Sequence, residues 1–362
     1  MHSQRLWGTP CAAPEDVVQW LTAMQAQEFS VAKWSVAQRA GRVGDAAMDR
    51  AFGEGAILRT HVLRPTWHFV APVDIRWLLD LTAPRVNQLN AHYYRRFGLD
   101  GPLFAKTNAL LAKTVAGGAH PTRKELADVL DRAGFTASGP RLAYIIMRAE
   151  LDAILCSGPP RGKQHTYAAL EERAPHTKTL DREEALAELV SRYFATRGPA
   201  TLKDFQRWSS LTAGEAKMGL GAVMSQFEHE DVDGRTYWFA EGSAPQKRGS
   251  KRVDLVQGYD ETVMSYSESR DALYGGQSSA PVPHVENALM HAVLQDGQLM
   301  GLWRPTRTKD TVVVEASLFG PREPADERAL EAAVERFGRF LGMPATMVAS
   351  SVSRSKQPTR RR

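Results

Sequence analysis

The order of its secondary structure most constrains the fold of this chain: two helical segments followed by a β-hairpin, an order that recurs along the 362 residues. In the first copy, Pro14 begins a helix with acidic residues in its first turn, and a second helical segment covers residues 29–40. Residues 57–70 are rich in β-branched and aromatic side chains and turn at Arg64-Pro65, which predicts two short strands. Helix, helix and hairpin in this order are typical of a winged helix.

A second copy follows a long helical stretch over residues 72–90. Thr122 and Glu125 have the spacing of a capping box, in which each side chain accepts a hydrogen bond from the other residue's backbone N–H. A further helix is predicted over residues 142–151, and two strands flank the basic turn at residues 159–163. Basic residues at such a tip either contact phosphates or are only solvated, and both interpretations stay open.

A third copy and a mixed C-terminal part complete the pattern. The third copy consists of helices over 182–196, 202–209 and 212–227 and a hairpin over 228–240 that turns at an Asp-Gly pair. The last part consists of an Asp-Gly hairpin over 293–304, a strand over 311–319 and an amphipathic helix over 326–341. We therefore predict an α+β fold with about three tandem winged helix-turn-helix units. The predicted divisions are residues 1–71, 72–175 and 176–245 for these units, 246–350 for a C-terminal α/β part that begins with a basic linker over 246–252, and 351–362 for a disordered basic tail.

The net charge of +5 comes from the C-terminal tail. The whole chain has 46 Lys and Arg against 41 Asp and Glu, and residues 354–362 hold five of the basic residues and no acid. The rest of the chain is therefore neutral overall. Any nucleic-acid surface on it depends on charge segregated to one face, while the tail is predicted to bind phosphates non-specifically or to aid solubility.

Several enzyme classes lack support in the sequence. It has no Walker loop, no G-x-G-x-x-G and no G-x-S-x-G. Cys11 and Cys156 are far apart and belong to no C-x-x-C, so neither a disulfide nor a zinc site is predicted. No apolar run approaches the ~18 residues of a membrane helix, and the first residues have no signal-peptide pattern. We expect a cytoplasmic protein that uses no metal and no cofactor.

Gln25 and Gln27 form the most suggestive pair of polar side chains. Two residues apart on an α-helix they point about 200° apart, whereas in an extended segment they project to the same side. Their joint action therefore requires the first helix to end near Met24. The alternative is a pair of solvent-facing amides with no role in chemistry.

Four segments of the chain, spread over most of its length, resemble one protein family. They are MQAQ at 24–27, LRPTWHFV at 63–70, RYFATRGPAT at 192–201 and GYDE at 258–261. The chain resembles the AlkZ/YcaQ-like winged-helix DNA glycosylases, known for resistance to bulky DNA-alkylating natural products and for crosslink repair. The first segment is similar to the Gln-x-Gln motif of the AlkZ-like branch, whereas the YcaQ-like branch has Gln-x-Asp.

Two positions depart from the family's pattern. Pro65 stands where the turn before Thr-x-His more usually has Gly, and this puts the geometry of the first hairpin in question. Pro305 follows Gly301-Leu302-Trp303-Arg304 and is predicted to break a strand that relatives often continue.

The resemblance implies hydrolysis of the N-glycosidic bond of alkylated purines, and a concave channel that embraces duplex DNA. An N7-alkylated purine is already a cationic leaving group, so its departure needs little protonation. A pair of amides then suffices, because an amide carbonyl accepts from the incoming water and its NH₂ group donates. The resemblance assigns Gln25 and Gln27 as the catalytic residues that contact this water and the deoxyribose.

Basic residues and one histidine are predicted to contact DNA. We interpret His68 as a contact to the backbone beside the lesion, with a core role as the alternative. The predicted phosphate contacts are Arg161 and Lys163 in the second hairpin and Arg304, Arg307 and Lys309 around the last one. The alternative for each of these cations is solvated surface.

Asp260 and Glu261 are an adjacent pair of acids in the last family-like segment. A carboxylate there has two possible uses, stabilisation of an oxocarbenium ion or capping of a helix. We favour a helix cap for Asp260, since the resemblance carries catalysis on the amides.

The predicted partner is double-stranded DNA with alkylated purines, bound by a monomer associated with the nucleoid. Two other functions stay open: a winged-helix DNA-binding regulator without catalysis, and a protein that binds the free drug. The Gln25 and Gln27 pair favours the enzyme, because a regulator has no need of it.

Overall fold

Helices and short strands alternate along the computed structural model, which describes residues 1–242, 251–274, 291–319 and 323–351. The α-helices of these ranges are α1 (Pro14–Leu21), α2 (Phe29–Ala37), α3 (Asp45–Glu54), α4 (Ile75–Arg96), α5 (Gly101–Val115), α6 (Arg123–Arg132), α7 (Gly139–Leu151), α8 (Leu170–Arg173), α9 (Arg182–Arg197), α10 (Leu202–Ser209), α11 (Ala213–Val223), α12 (Glu261–Met264) and α13 (Pro324–Leu341). The strands are β1 (Ala23–Gln25), β2 (Leu58–His61), β3 (Trp67–Val70), β4 (Leu155–Ser157), β5 (Tyr167–Ala169), β6 (Glu228–Val232), β7 (Arg235–Phe239), β8 (Val253–Val256), β9 (His291–Gln295), β10 (Gln298–Arg307), β11 (Val312–Leu318) and β12 (Ala345–Ser351). The predicted α+β class is confirmed. None of the helices in these ranges is long and apolar enough to cross a membrane.

The chain divides into two compact units. One comprises Met1–Ser243 with Met264–Glu268, and the other Ala244–Val263 with Ser269–Arg362. Within the first unit, one cluster of buried apolar residues runs from Ala23 to Trp238. The three predicted segments of this unit therefore share a core, and their division at residues 71 and 175 stays a prediction.

The first helix ends before the two glutamines, and Gln25 lies in a strand. Pro14 occupies the first turn of α1, and the Asp16 carboxylate accepts a hydrogen bond from the Ala13 backbone N–H at 3.0 Å. After Leu21, Thr22 adopts a left-handed φ of 65°, which turns the chain out of the helix. The chain continues directly as β1, so the condition that the first helix ends near Met24 is met.

Strands β1, β3 and β2 form one antiparallel sheet in that order. The β2–β3 pairing is regular from Leu58 opposite Val70 to His61 opposite Trp67. The predicted hairpin is therefore confirmed, and Pro65 lies exposed in its turn without disturbing the register. The glutamine pair thus begins at the edge of this small sheet.

The later elements agree well with the sequence pattern. The capping box at the start of α6 is confirmed, since the Thr122 N–H donates to Glu125 at 2.7 Å and the Glu125 N–H donates to Thr122 Oγ1 at 3.3 Å. The β6–β7 hairpin turns at Asp233 and Gly234, whose φ values of 50° and 74° are those of the turn type that Asp-Gly favours.

The second unit is built on a sheet with the order β12-β11-β10-β9-β8 in the described residues, and α13 packs on it. The prediction that Pro305 breaks a strand is wrong. β10 continues to Arg307, and Pro305 pairs with Val314 of β11. The β9 pairing ends at Trp303, so Pro305 faces no partner on that side among the described residues, and its missing N–H costs no ladder hydrogen bond there.

Two predicted basic segments fall largely outside the described residues. They are the linker over residues 246–252, of which 251 and 252 are described, and the tail over residues 351–362, of which the backbone of 351 is described.

Candidate active site

The two glutamines lie beside the first hairpin. Gln25 is the last residue of β1 and stands opposite His68 of β3. Its side chain is only 3% exposed, whereas Gln27 is partly exposed. The intervening residues Met24 and Ala26 are buried in the core. The two predicted catalytic amides therefore belong to one short segment, residues 21–27, which we call the glutamine segment.

The Gln25 amide is held by the guanidinium of Arg64. Arg64 Nη2 donates to Gln25 Oε1 at 2.8 Å, while Arg64 Nη1 donates to the Trp208 carbonyl oxygen at 2.7 Å. A guanidinium has only donors, so the oxygen end of the amide must face Arg64. The NH₂ end of Gln25 consequently points away from the guanidinium.

His68 is fully buried, and both of its ring nitrogens have partners inside the protein. Nε2 accepts from Arg64 Nη2 at 3.2 Å, and Nδ1 donates to the Thr66 carbonyl oxygen at 2.9 Å. Burial and then the neighbouring Arg64 hold the pKa of His68 well below its ordinary value, so the ring is neutral. The predicted DNA contact of His68 stays a prediction, and this geometry suits the alternative core role, in which His68 helps to hold Arg64 in place.

Gln27 presents its amide differently. Its Oε1 accepts from the Trp67 backbone N–H at a long 3.4 Å, and its NH₂ group has no hydrogen-bond partner in the described part of the chain. The carbonyl oxygen keeps a second lone pair for another donor. Gln27 is therefore the member of the pair that is better placed to bind a water molecule.

Arg59 fixes the backbone at the end of the glutamine segment. Its Nε donates to the Ala26 carbonyl oxygen at 3.0 Å and its Nη2 to that of Gln27 at 3.4 Å. The guanidinium lies 4.4 Å from the Trp67 ring centroid, and burial lowers its pKa to about 10. Arg59 therefore stays charged at neutral pH and fixes the backbone at Ala26 and Gln27.

A buried acid supports this arrangement from behind. Glu150 is 1% exposed and accepts hydrogen bonds from His61 Nδ1 and, at 3.4 Å, from Trp67 Nε1. Its negative charge favours the charged form of Arg59. The carboxylate thereby partly offsets the cost of a buried guanidinium next to the amides.

Arg197 fixes the other end of the segment. Its Nη2 donates to the carbonyl oxygens of Leu21 and Ala23 at 2.9 and 3.1 Å, and its guanidinium lies 4.4 Å from the Trp208 ring centroid. Sequence reasoning assigned no role to Arg59, Arg64 or Arg197. The available signal was that Arg64 and Arg197 lie within two of the family-like segments.

The predicted phosphate contacts fall into two groups. Arg161 pairs with Glu125, and this hydrogen bond lowers the pKa of Glu125 to about 2. Arg304 pairs with Glu315 across β10 and β11 at 2.5 Å. The remaining three are exposed and form no ion pair with any residue of the described ranges; they are Lys163, Arg307 and Lys309. Only this second group presents uncompensated charge.

The third hairpin has the opposite charge. Four exposed acids lie along β6 and its turn, namely Glu228, Glu230, Asp231 and Asp233. Arg235 in β7 is the one basic residue of the two strands and their turn. This hairpin therefore has a net negative charge, although it follows the same order of elements as the other two.

Asp260 serves as a cap. Its Oδ1 accepts a hydrogen bond from the Thr262 backbone N–H at 2.9 Å, at the start of α12, and its side chain is 1% exposed. The favoured interpretation of this acid pair is confirmed.

Comparisons with known proteins agree with the resemblance. The model of the family described as "DNA glycosylase AlkZ-like" matches residues 18–340. An interstrand DNA cross-link repair glycosylase of Streptomyces sahachiroi is 25% identical over 352 residues, which cover 92% of this chain and 91% of that protein. The solved structure of the Streptomyces sahachiroi DNA glycosylase AlkZ superimposes with a TM-score of 0.78 at 22% identity, covering 96% of this chain and 97% of that one. The chain belongs to the AlkZ-like DNA glycosylase family.

Proposed function

We propose that this protein is a monofunctional DNA glycosylase that hydrolyses the N-glycosidic bond of bulky N7-alkylated purines in double-stranded DNA. Its role is the repair of DNA damaged by alkylating agents or self-resistance to such agents. The observation that carries the proposal is the glutamine segment, in which the two amides lie two residues apart in the chain and three arginines hold the backbone and one side chain. Family membership supports the same activity.

The proposed mechanism relies on the lesion for much of the bond polarisation. Because N7 alkylation makes the purine a cation, the C–N bond breaks without a strong general acid, and an oxocarbenium-like sugar develops. Gln27 holds the attacking water by accepting a hydrogen bond from it at Oε1, and the proton that the water loses when it adds to the sugar carbon passes to solvent. Gln25 donates from its NH₂ group to an oxygen of the deoxyribose. Their contribution is the alignment of water and sugar rather than proton abstraction.

We propose the three helix–helix–hairpin segments of the first unit as winged helix-turn-helix units that bind the duplex. Lys163 and Arg161 in the second hairpin are the proposed phosphate contacts there, and Arg304, Arg307 and Lys309 are those of the second unit. Such contacts add affinity without reading sequence, which suits an enzyme that must find lesions at any position.

The test measures base release from duplexes that contain N7-methylguanine or a bulky N7 adduct, detected as alkali-labile abasic sites. The wild-type protein should release the damaged base, and Gln25→Ala and Gln27→Ala should each release it about 100-fold more slowly while still binding DNA. Gln19→Ala is the matched control, since Gln19 is exposed on α1 and its side chain takes no part in the hydrogen bonds described for the glutamine segment. Binding of DNA with no release from any adduct supports the regulator instead.

A further inference from the structure

Arg64 connects three distant parts of the first unit. It lies in the turn between β2 and β3, and its side chain contacts Gln25 Oε1, His68 Nε2 and the Trp208 carbonyl oxygen. The Trp208 contact comes from α10, 144 residues further along the chain. The guanidinium therefore contacts α10 through Nη1, and through Nη2 it contacts Gln25 and His68, which face each other across β1 and β3.

This contact decides how the Gln25 amide is presented. The two ends of an amide have nearly the same shape but opposite hydrogen-bonding roles, so a half-turn of the amide costs little in packing. With Arg64 present, that half-turn places an NH₂ group against a guanidinium N–H, which removes a charge-assisted hydrogen bond and sets two donors against each other. Without Arg64, this charge-assisted hydrogen bond no longer favours the orientation with Oε1 toward the turn.

We propose that Arg64 is a positioning residue for base release, which acts by orienting the NH₂ group of Gln25 toward the deoxyribose. The inference rests on the proposed function. Arg59 and Arg197 hold the backbone carbonyls on both sides of Gln25, so the path of the segment does not depend on Arg64. Removal of Arg64 thus changes the orientation of one side chain within a backbone that stays in place.

A direct phosphate contact is the competing role, because Arg64 is partly exposed. The two roles predict different kinetics. If Arg64 contacts a phosphate, its removal weakens DNA binding and lowers the salt dependence of that binding. The rate of base release from the bound complex stays unchanged. A positioning residue lowers the rate of the bound complex and leaves affinity nearly unchanged.

The experiment measures single-turnover base release at saturating protein, together with Kd for the lesion duplex, for Arg64→Met alone and combined with Gln25→Ala. Arg64→Met should lower the rate about 10- to 100-fold, as expected for a misaligned group, and change Kd by no more than about twofold. In the Gln25→Ala background the same substitution should cause no further loss. Arg64→Lys is the second variant; its single ammonium cannot span both acceptors as the planar guanidinium does, so its rate should be intermediate.

A spectroscopic measurement tests the contact without activity. In protein with ¹⁵N-labelled glutamine side chains, the Gln25 NH₂ signal is identified by its absence in Gln25→Ala. Arg64→Met should shift that signal. Arg85→Met should not, although Arg85 donates to the nearby Ser210 carbonyl oxygen at 3.3 Å.

Each outcome decides a different claim. Three outcomes overturn the positioning role of Arg64. They are the same rate loss from Arg64→Met in the wild-type and Gln25→Ala backgrounds, weaker DNA binding at an unchanged rate, and a Gln25 NH₂ signal that does not shift. Full activity of Gln25→Ala, or no base release by the wild-type protein, overturns the proposed function, while the spectrum still tests the role of Arg64.

Discussion

Two sets of cations in the first unit have different uses. Arg59, Arg64 and Arg197 point into the protein and donate to neutral carbonyl oxygens of the glutamine segment and its neighbours. Arg161 and Lys163 lie exposed on the second hairpin, where Arg161 pairs with an acid and Lys163 does not. An inward arginine with several acceptors fixes geometry, whereas an outward cation adds long-range attraction. Changes to the inner set should therefore alter stability and rate, and changes to the outer set should alter affinity.

The largest effect is expected from the inner set. Arg197→Met leaves the buried carbonyl oxygens of Leu21 and Ala23 without their donor, which should lower the free energy of unfolding by about 3 kcal/mol. Urea denaturation followed by circular dichroism measures this loss. Arg85→Met is the matched control and should cost about 1 kcal/mol or less, because its contact is partly solvated. Equal losses would show that Arg197 has no special role in holding the segment.

Gln27→Ala should lower the single-turnover rate of base release by about 100-fold or more, the usual cost of removing one preorganised hydrogen-bonding group. Affinity for the duplex should stay close to wild type, because Gln27 is uncharged. The rate is compared with that of Gln19→Ala at saturating protein. An unchanged rate for Gln27→Ala contradicts its role in binding the water.

His68 predicts a dependence of stability on pH. Its folded pKa is depressed, so below about pH 6.5 the unfolded chain takes up a proton at this position and the folded protein does not. Stability should therefore fall as the pH drops below that value, by about 1.4 kcal/mol per pH unit from this residue alone. At higher pH the residue contributes no pH dependence. Urea titrations at pH 7.5 and 5.5 measure the free energy of unfolding of the wild type and of His68→Gln. An equal change in this free energy between the two pH values for both proteins would mean that His68 is protonated in the folded state.

Lys163→Ala should weaken DNA binding severalfold and lower the salt slope of log Kd by about 1, the effect of one phosphate contact. Arg161→Ala should weaken it less, because Glu125 already offsets part of its charge. Fluorescence anisotropy at several salt concentrations compares the two. A larger effect from Arg161 would show that its ion pair opens on DNA.

The smallest effect is expected on the acidic third hairpin. If its acids face away from the duplex, Glu230→Gln leaves affinity and salt slope unchanged, in contrast to Lys163→Ala. The same anisotropy assay checks this. Tighter binding by Glu230→Gln would place the hairpin near the phosphates.

Local features of the fold were predictable because their causes lie within a few residues. The capping box of α6 and the Asp233-Gly234 turn depend on side chains and backbone angles of adjacent residues. The end of α1 ahead of the strand that contains Gln25 depends on the turn at Thr22, which is equally local.

The contacts that shape the candidate site were not predictable in this way. Arg197 reaches carbonyl oxygens 174 and 176 residues away, and Arg64 reaches one 144 residues away. Burial of His68 depends on the same long-range packing, so its position on a strand near the turn suggested a surface role. Pro305 was misjudged because the effect of a proline depends on which side of its strand has a partner.

The single-turnover rate of base release from an N7-adduct duplex tests directly whether the two glutamine amides catalyse the release of alkylated purines. The measurement compares the wild type, the Gln25→Ala/Gln27→Ala double variant and Gln19→Ala. We expect release by the wild type and by Gln19→Ala, and none above the spontaneous rate by the double variant, with all three bound to DNA equally well. Release by the double variant at the wild-type rate would contradict this expectation.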